Sequence, residues 1–416
     1  MKQIIIGGHS DPLSKTNTEY NMLMGGTYWY TSAFYGIIPT NGKFRNLSVE
    51  LSGVPGTNPY VIGLYVNGAL TTCAATIDAA ATTGFDADEI SVSAGDRISI
   101  QSSFPSGAPD NTPYARWSVE FESDTPGETI ILGTGQTYKS SNTYNCMSCE
   151  MTGLYVVTES QVYQLIATNG NFKKLYVMVG NPGVDPDGYN FKLRIDGADS
   201  DDGAGNPLEV TITAPNTTGN DTVHVIPVAA GSFGNFKCTP LNVPANDVNI
   251  RWGMVFSPDI DGESLILGGE YGTLNTSNTR YNYLETTTYN NSWASSELFQ
   301  GAQDTTPDMI IKKFYVRLTA APGAGGSGKK YTFTIRHTGA DSAITVEILE
   351  VATTGNDIVN EFACLAYDEL GIKCVPLNTP SAAYACWGAV IYIEGESGSG
   401  PLQGNMAGRL VGANII

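Results

Sequence analysis

Charge is what this chain has least of. Only 15% of its 416 residues are Asp, Glu, Lys or Arg, and only three are histidine: His9, His224 and His337. Histidine is the side chain whose ordinary titration falls near neutral pH, so its scarcity narrows the acid–base chemistry on offer. None of the three recurs between the repeats described below. His337 replaces an aliphatic residue on an apolar face, the setting of a half-buried histidine satisfied by a neighbour. GxSxG, HExxH, phosphate-binding and dinucleotide-binding loops are missing as well. A glycosidase needs only two carboxylates, but here the acids vary between copies while the scaffold recurs. The chain therefore reads as a non-enzyme, with no catalytic, cofactor-binding or metal-ligating residue assigned.

Long apolar runs are also absent. No stretch approaches 18 uninterrupted apolar residues, which excludes a transmembrane helix. The opening "MKQIIIGGHSDP" has an apolar run of three, too short for a secretory signal, and folding in a cytosol is expected. Cysteine is present in an odd number: Cys73, Cys146, Cys149, Cys238, Cys364, Cys374 and Cys386. Most of these positions do not recur between copies, so they are expected to be reduced thiols. "CMSC" at 146–149 is a lone CxxC without a second pair and is read as structural. Bases are outnumbered 41 to 22, a net charge of −19. Such a surface repels phosphate backbones, which argues against nucleic acid as a partner.

What is abundant is apolar residues, at 41%, together with glycine (47) and tyrosine (22). That composition suits short strands joined by many turns. Four landmarks recur in order. An apolar strand runs into glycine at 4–8 ("IIIGG"), 130–135 ("IILGTG") and 265–269 ("LILGG"). A basic-tipped strand follows at 44–51 ("FRNLSVEL"), 172–179 ("FKKLYVMV") and 311–318 ("IKKFYVRL"). Then come "TTGFD" at 82–86 and "TTGND" at 217–221 and 353–357, and finally "ARWSVEF" at 115–121, "IRWGMVF" at 250–256 and "ACWGAVI" at 385–391. Trp117, Trp252 and Trp387 are 135 residues apart twice, and Gly84, Gly219 and Gly355 keep the same period within one residue. Two landmarks on one period define a tandem repeat. Modules are placed at 1–126, 127–261 and 262–398, with a docking tail at 399–416.

Within the basic-tipped strands Leu47, Val49 and Leu51 alternate with Ser48 and Glu50. Leu175, Val177, Val179 and Phe314, Val316, Leu318 match them, the period of a half-buried strand. The next strand carries Ile62, Leu64, Val66; Phe191, Leu193, Ile195; and Phe333, Ile335, His337. It ends at Asn67-Gly68, Asp196-Gly197 or Thr338-Gly339, and the first two are type I′ hairpin signals. About eight short strands per module, with no helix required, predict an all-β chain: three tandem β-sandwiches of jelly-roll or Greek-key type, each about 135 residues. The tryptophans are read as core anchors rather than ligand-stacking platforms.

The joints "DTPGE" (124–128) and "DIDGE" (259–263) leave no flexible spacer. The modules are therefore expected to pack in a fixed relation, in a row or around a shared axis as a pseudo-trimer. In the second module an insertion, "ADSDDGAGNP", holds Asp199, Asp201 and Asp202. Calcium favours several such oxygens in a flexible loop, but the EF-hand ligand pattern is incomplete and a solvated acidic loop is preferred. An aromatic stretch opens each module, with Tyr28, Trp29, Tyr30, Phe34 and Tyr35 in the first and Tyr283, Tyr289 and Trp293 in the third. It is read either as packing on its own sandwich or as an interface. Trp29 and Trp293 are not read as equivalent, which counts against a sugar platform repeated in each copy.

With Asn67-Gly68, "AATTGFD" at 80–86, "SAGD" at 93–96, "PSGAP" at 105–109 and the three tryptophan strands in view, the chain resembles tandem modules of virion structural proteins of tailed bacteriophages. Such sandwiches are similar in outline to tumour-necrosis-factor and C1q-like domains. The resemblance covers nearly the whole chain and implies a capsid decoration protein, with a head or tail fibre or a receptor-binding adhesin as the alternative. Implied partners are the major capsid protein or other virion proteins and further copies of the chain, with a host-surface glycan for the adhesin. The implied location is the virion, after assembly in a host cytoplasm. Membrane and nucleic acid are not among the expected partners. A bacterial surface carbohydrate-binding protein is the reading from another class. The third copy departs from the pattern, with "AYDEL" for "AGD" and Cys386 for the arginine before tryptophan, so Arg116 and Arg251 receive no shared role. The apolar tail is expected to dock on a neighbour, as an added strand.

Overall fold

A computed structural model describes residues 1–393, apart from 10, 26–27, 139–142, 153–154, 246, 287–292, 298–302 and 305–308. The tail at 399–416 lies outside the described residues. Within them the chain is all-β. A 3₁₀ turn spans Glu159–Gln161, and among the described residues no helix is long and apolar enough to cross a membrane.

Three pairs of sheets follow one another along the chain, with the same strand order each time. In the first pair, one sheet runs Lys2–His9, Ala115–Ser123, Gly42–Leu51, Thr83–Asp86. The other runs Glu19–Asn21, Arg97–Ser103, Tyr60–Val66, Ala69–Ile77. The second pair repeats this with Thr129–Tyr138, Val248–Pro258, Gly170–Val179, Thr218–Val228 against a sheet built on Asn145–Met147, Phe233–Leu241 and Gly188–Ile195. The third has Glu263–Glu270, Ala385–Ile393, Met309–Leu318, Thr354–Cys364 against Arg280–Asn282, Glu369–Leu377, Lys330–His337, Ala340–Leu349. Sequence neighbours often lie in different sheets, which makes each pair a Greek-key β-sandwich.

Each repeated motif has a local physical reason. Gly7, Gly133 and Gly268 stand directly across from Trp117, Trp252 and Trp387, and a Cβ on any of these glycines would collide with the facing indole. The two landmarks are thus one device, a fully buried ring lying over a strand with no side chain beneath it. Each indole N–H donates to a backbone carbonyl, of Leu23 (2.8 Å), Cys149 (2.7 Å) and Leu284 (2.7 Å) respectively, so the ring also pins the segment that opens the second sheet. The hairpin turns have positive φ at both centres: Asn67 and Gly68, Asp196 and Gly197, Thr338 and Gly339. In "TTGND", Asp221 and Asp357 accept amide hydrogens from their own strand. They also accept one from Glu209 (3.1 Å) or Thr345 (3.0 Å) in the facing sheet, stapling the sandwich edge.

The strands that open each repeat are buried on both faces, as runs without polar alternation should be. Ile5 packs into the first core, whereas Ile4 and Ile6 pack into the third. Ile131 packs into the second core, and Ile130 and Leu132 into the first. Ile266 packs into the third, and Leu265 and Leu267 into the second. Every sandwich therefore lends two aliphatic side chains to its neighbour's core, and the loan runs round a closed cycle. At about 1.5–3 kcal/mol per buried side chain, each exchange stabilises a contact by roughly 3–6 kcal/mol.

Candidate functional site: the three seams

The cycle creates three seams: between first and second sandwiches, between second and third, and between third and first. A short strand of one sandwich lies on the opening and tryptophan strands of the next. These short strands are Gly36–Ile37, Gln164–Leu165 and Gln303–Asp304. At the first two seams the residue after tryptophan must be glycine. The carbonyl oxygens of Ile37 and Leu165 sit where a Cβ of Gly253 or Gly388 would be. At the third seam the same position is Ser118, buried and tolerated.

The joint glutamates lead into the first two seams. Glu128 is 1% exposed and Glu263 fully buried. Glu128 receives Lys173 (3.0 Å) and Lys174 (2.8 Å), and the Thr40 hydroxyl of the preceding sandwich donates to it at 2.7 Å. Glu263 receives Lys312 (3.0 Å) and Lys313 (2.6 Å), with Thr168 donating at 2.5 Å. Adjacent lysines on a regular strand point to opposite faces. Here Lys174 and Lys313 take left-handed φ of 52° and 55° at a bulge, which turns both lysines of each pair onto one carboxylate. Burial opposes ionisation of Glu128 and Glu263, but the hydrogen bonds from lysine and threonine outweigh it and hold both below the usual carboxylate range. At the third seam Lys2 occupies the glutamate's place and lies 4.0 Å from Glu120.

Further along each seam, one set of positions carries three chemistries. At the first seam the Tyr35 ring has the Arg97 guanidinium 5.3 Å and the Arg251 guanidinium 4.5 Å from its centroid. At the second, Phe233 stands in Arg97's place under Arg317 at 4.1 Å, with the Tyr163 ring 4.3 Å away. At the third, Glu369 stands there instead and pairs with Arg116, which also reaches Glu50 at 3.4 Å. Arg116 and Arg251, left without a shared role by the sequence, are thus equivalent seam residues with different partners. The "AYDEL" departure supplies the carboxylate for Arg116, with Tyr367 at a left-handed φ of 65° where the first copy has Gly95.

The second seam also buries a pair of acids. Glu150 and Glu285, 0% and 2% exposed, face each other across it, and Gln164 accepts from the Glu150 amide at 3.0 Å. Burial raises both carboxyls, Glu150 well above the ordinary range, where the nearby Glu285 adds to the effect, and Glu285 to about 8. Burial and mutual repulsion thus disfavour the ionised form of both carboxyls. In the first sandwich the equivalent residue is Met24, whose sulfur lies 3.2 Å from the Leu132 amide. Nothing in the sequence marked this pair.

The other residues singled out in the sequence fall elsewhere. Asp199 pairs with Lys192 (3.2 Å) and Arg194, while Asp201 and Asp202 accept amide hydrogens of their own loop at 2.7–3.1 Å, so the three carboxylates do not converge. Among the described residues no group of three His, Cys, Asp or Glu side chains is arranged to hold a metal. All seven cysteines are buried free thiols. His337 is half-buried, stacked on Phe362 and bonded to Asp368 at 2.7 Å. Trp29 and Trp293 prove equivalent after all: each packs on its tryptophan-strand indole, with ring centroids 5.8 Å and 5.6 Å apart, and each is buried. No protein-family model matches the chain, and no curated protein matches it.

Proposed function

We propose that this chain is a non-enzymatic structural protein of a virion, one that decorates or stabilises a capsid surface. The observation that supports this best is the closed cycle of seams. A single chain forms a body with three similar sandwiches about a common centre, and such a body suits a seat of three-fold or pseudo-three-fold symmetry. Fusion makes the association of the three sandwiches intramolecular, at a high effective concentration. The buried ionisable groups also support a structural role: Glu128, Glu263, Glu150 and Glu285 are all engaged in joining sandwiches. The adhesin and carbohydrate-binding readings rank below it, because Trp29 and Trp293, the aromatics with which a sugar would stack, lie inside the sandwiches.

Quantitative mass spectrometry of particles purified from infected cells tests the reading. The expected result is this chain present in a fixed ratio to the major shell protein. Its absence from particles, or its recovery only with a bacterial envelope, would overturn it.

A further inference from the structure

Glu150 and Glu285 differ from the other buried glutamates of the opening strands and seams. Glu128 and Glu263 are each held by two lysines and a threonine, and Glu270 accepts from the Asn282 side-chain amide at 3.2 Å. Among the described residues no lysine, arginine or histidine acts on Glu150 or Glu285, and the charge that each meets is the other's. Neither oxygen of Glu150 has a hydrogen-bond partner outside the pair. The titratable residues beside them along the chain are Cys149 and Tyr283, both buried, and neither brings a positive charge. Gln164, from the short strand of the seam, is uncharged. The two glutamates hold equivalent places in successive sandwiches, each following the residue whose carbonyl accepts the indole N–H, Cys149 or Leu284. The matching residue of the first sandwich is Met24, after Leu23, so a side chain that cannot ionise sits at the first seam.

We propose that the Glu150–Glu285 pair is a proton latch on the second seam: protonated, it lets the second and third sandwiches close on one another, and its ionisation parts them while the first seam stays closed. In the closed seam the carboxyls are shut away from water and keep their protons. In the parted seam each meets water and ionises as an ordinary glutamate. Parting therefore releases protons and is favoured by rising pH. The window opens in the ordinary carboxyl range, about 4.3, and runs to about 8, where Glu285 loses its proton in the closed seam as well. Within it the equilibrium constant for parting grows about tenfold per pH unit for each proton released. Above it, two buried carboxylates oppose one another with no cation between them, an arrangement that strongly favours parting. The joint at 259–263 keeps the parted sandwiches tethered, so the latch can close again. This inference does not depend on the virion reading, since the latch belongs to the isolated chain.

Hydrogen-exchange mass spectrometry of the full chain between about pH 5 and 8, the span in which the closed pair gives up its advantage, tests it. The opening strand of the third sandwich, Glu263–Glu270, reports on the second seam, and that of the second sandwich, Thr129–Tyr138, on the first. Intrinsic exchange rises with pH alike in both, so their ratio isolates the latch. The rate for Glu263–Glu270 relative to Thr129–Tyr138 is expected to climb with pH, by up to about tenfold per unit for each proton released. The double variant E150Q/E285Q keeps both side-chain shapes without an ionisable group, and its ratio should stay flat. E285Q alone should lessen the climb, and it keeps the test open if the double variant fails to fold. A ratio independent of pH in the parent, an undiminished climb in the variants, or both strands accelerating together as in global unfolding would overturn the proposal.

Discussion

Two seams of this molecule are crossed by the polypeptide and one is not, and they are built differently. Where the chain crosses, the next sandwich begins with a buried glutamate held by two lysines and by a threonine of the sandwich before it. Where the chain does not cross, that glutamate is replaced by Lys2, and the seam relies on Arg116 reaching Glu369 from the far end of the sequence. All three share the exchange of aliphatic side chains, which supplies affinity without discrimination. The joint glutamate separates the first two seams from the third, and the contacts at the Arg97, Phe233 and Glu369 position differ at all three, so a sandwich seated in the wrong place would leave a charge unmatched. Copying one blueprint made the ring possible, and divergence at a few positions fixed its order.

Substitutions that act on one seam and spare another put this contrast to the test. The largest effect is expected from Gly253→Val, which drives a side chain into the Ile37 carbonyl; a loss of about 3 kcal/mol in denaturant unfolding is expected, whereas Ser118→Gly at the third seam should stay within about 0.5 kcal/mol. Next comes Glu263→Gln. It leaves Lys312 and Lys313 half-buried without their counter-charge and should lose about 2 kcal/mol, measured by the same unfolding assay. Lys2→Ala, by comparison, removes a long, partly exposed pair and should be near neutral. A double-mutant cycle at the third seam, R116E with E369R, should recover about 1 kcal/mol relative to the sum of the single changes, a modest figure because both side chains are partly exposed. Simple additivity would show that this ion pair does not hold the seam.

The smallest effect expected is a slope with pH, and its sign differs between seam elements. The Glu150–Glu285 pair has raised folded-state values, so the folded protein binds more protons than the unfolded chain. Stability from this pair is complete below the ordinary carboxyl range and falls as pH rises toward about 8. Glu128 and Glu263 are lowered, so their contribution is present above the ordinary range and disappears as pH falls through their folded values. Thermal melts across pH 5 to 9, about the range in which the pair titrates, should show E285Q flattening the alkaline decline of the parent. An unchanged slope would mean that the pair is not what titrates there.

Much of the sandwich was legible in the sequence because its causes are local. Alternation marked Leu47, Val49 and Leu51 and their counterparts as core, and Asn67-Gly68 and Asp196-Gly197 marked hairpins, since both depend on residues adjacent along the strand. The glycine before each opening strand's end and the tryptophan 110–119 residues later were both visible, yet their contact was not, because only strand pairing brings Gly7 under Trp117. The equivalence of Trp29 and Trp293 was missed for the same reason. Their spacing from the landmarks differs, and what aligns them is the indole each one packs against.

By itself the sequence determined a repeating all-β unit, its period and its inward faces, because backbone sterics and the burial of alternate side chains act over a few residues. Only the tertiary structure decided how the three units meet. An uninterrupted "III", "IIL" or "LIL" says that a strand is covered twice, but nothing in the strand says by which surface. The partners of Arg116, Glu150 and Glu263 in the neighbouring sandwich lie 253, 135 and 95 residues away. Contacts at such separations follow from the packing of whole sandwiches, and no local pattern encodes them.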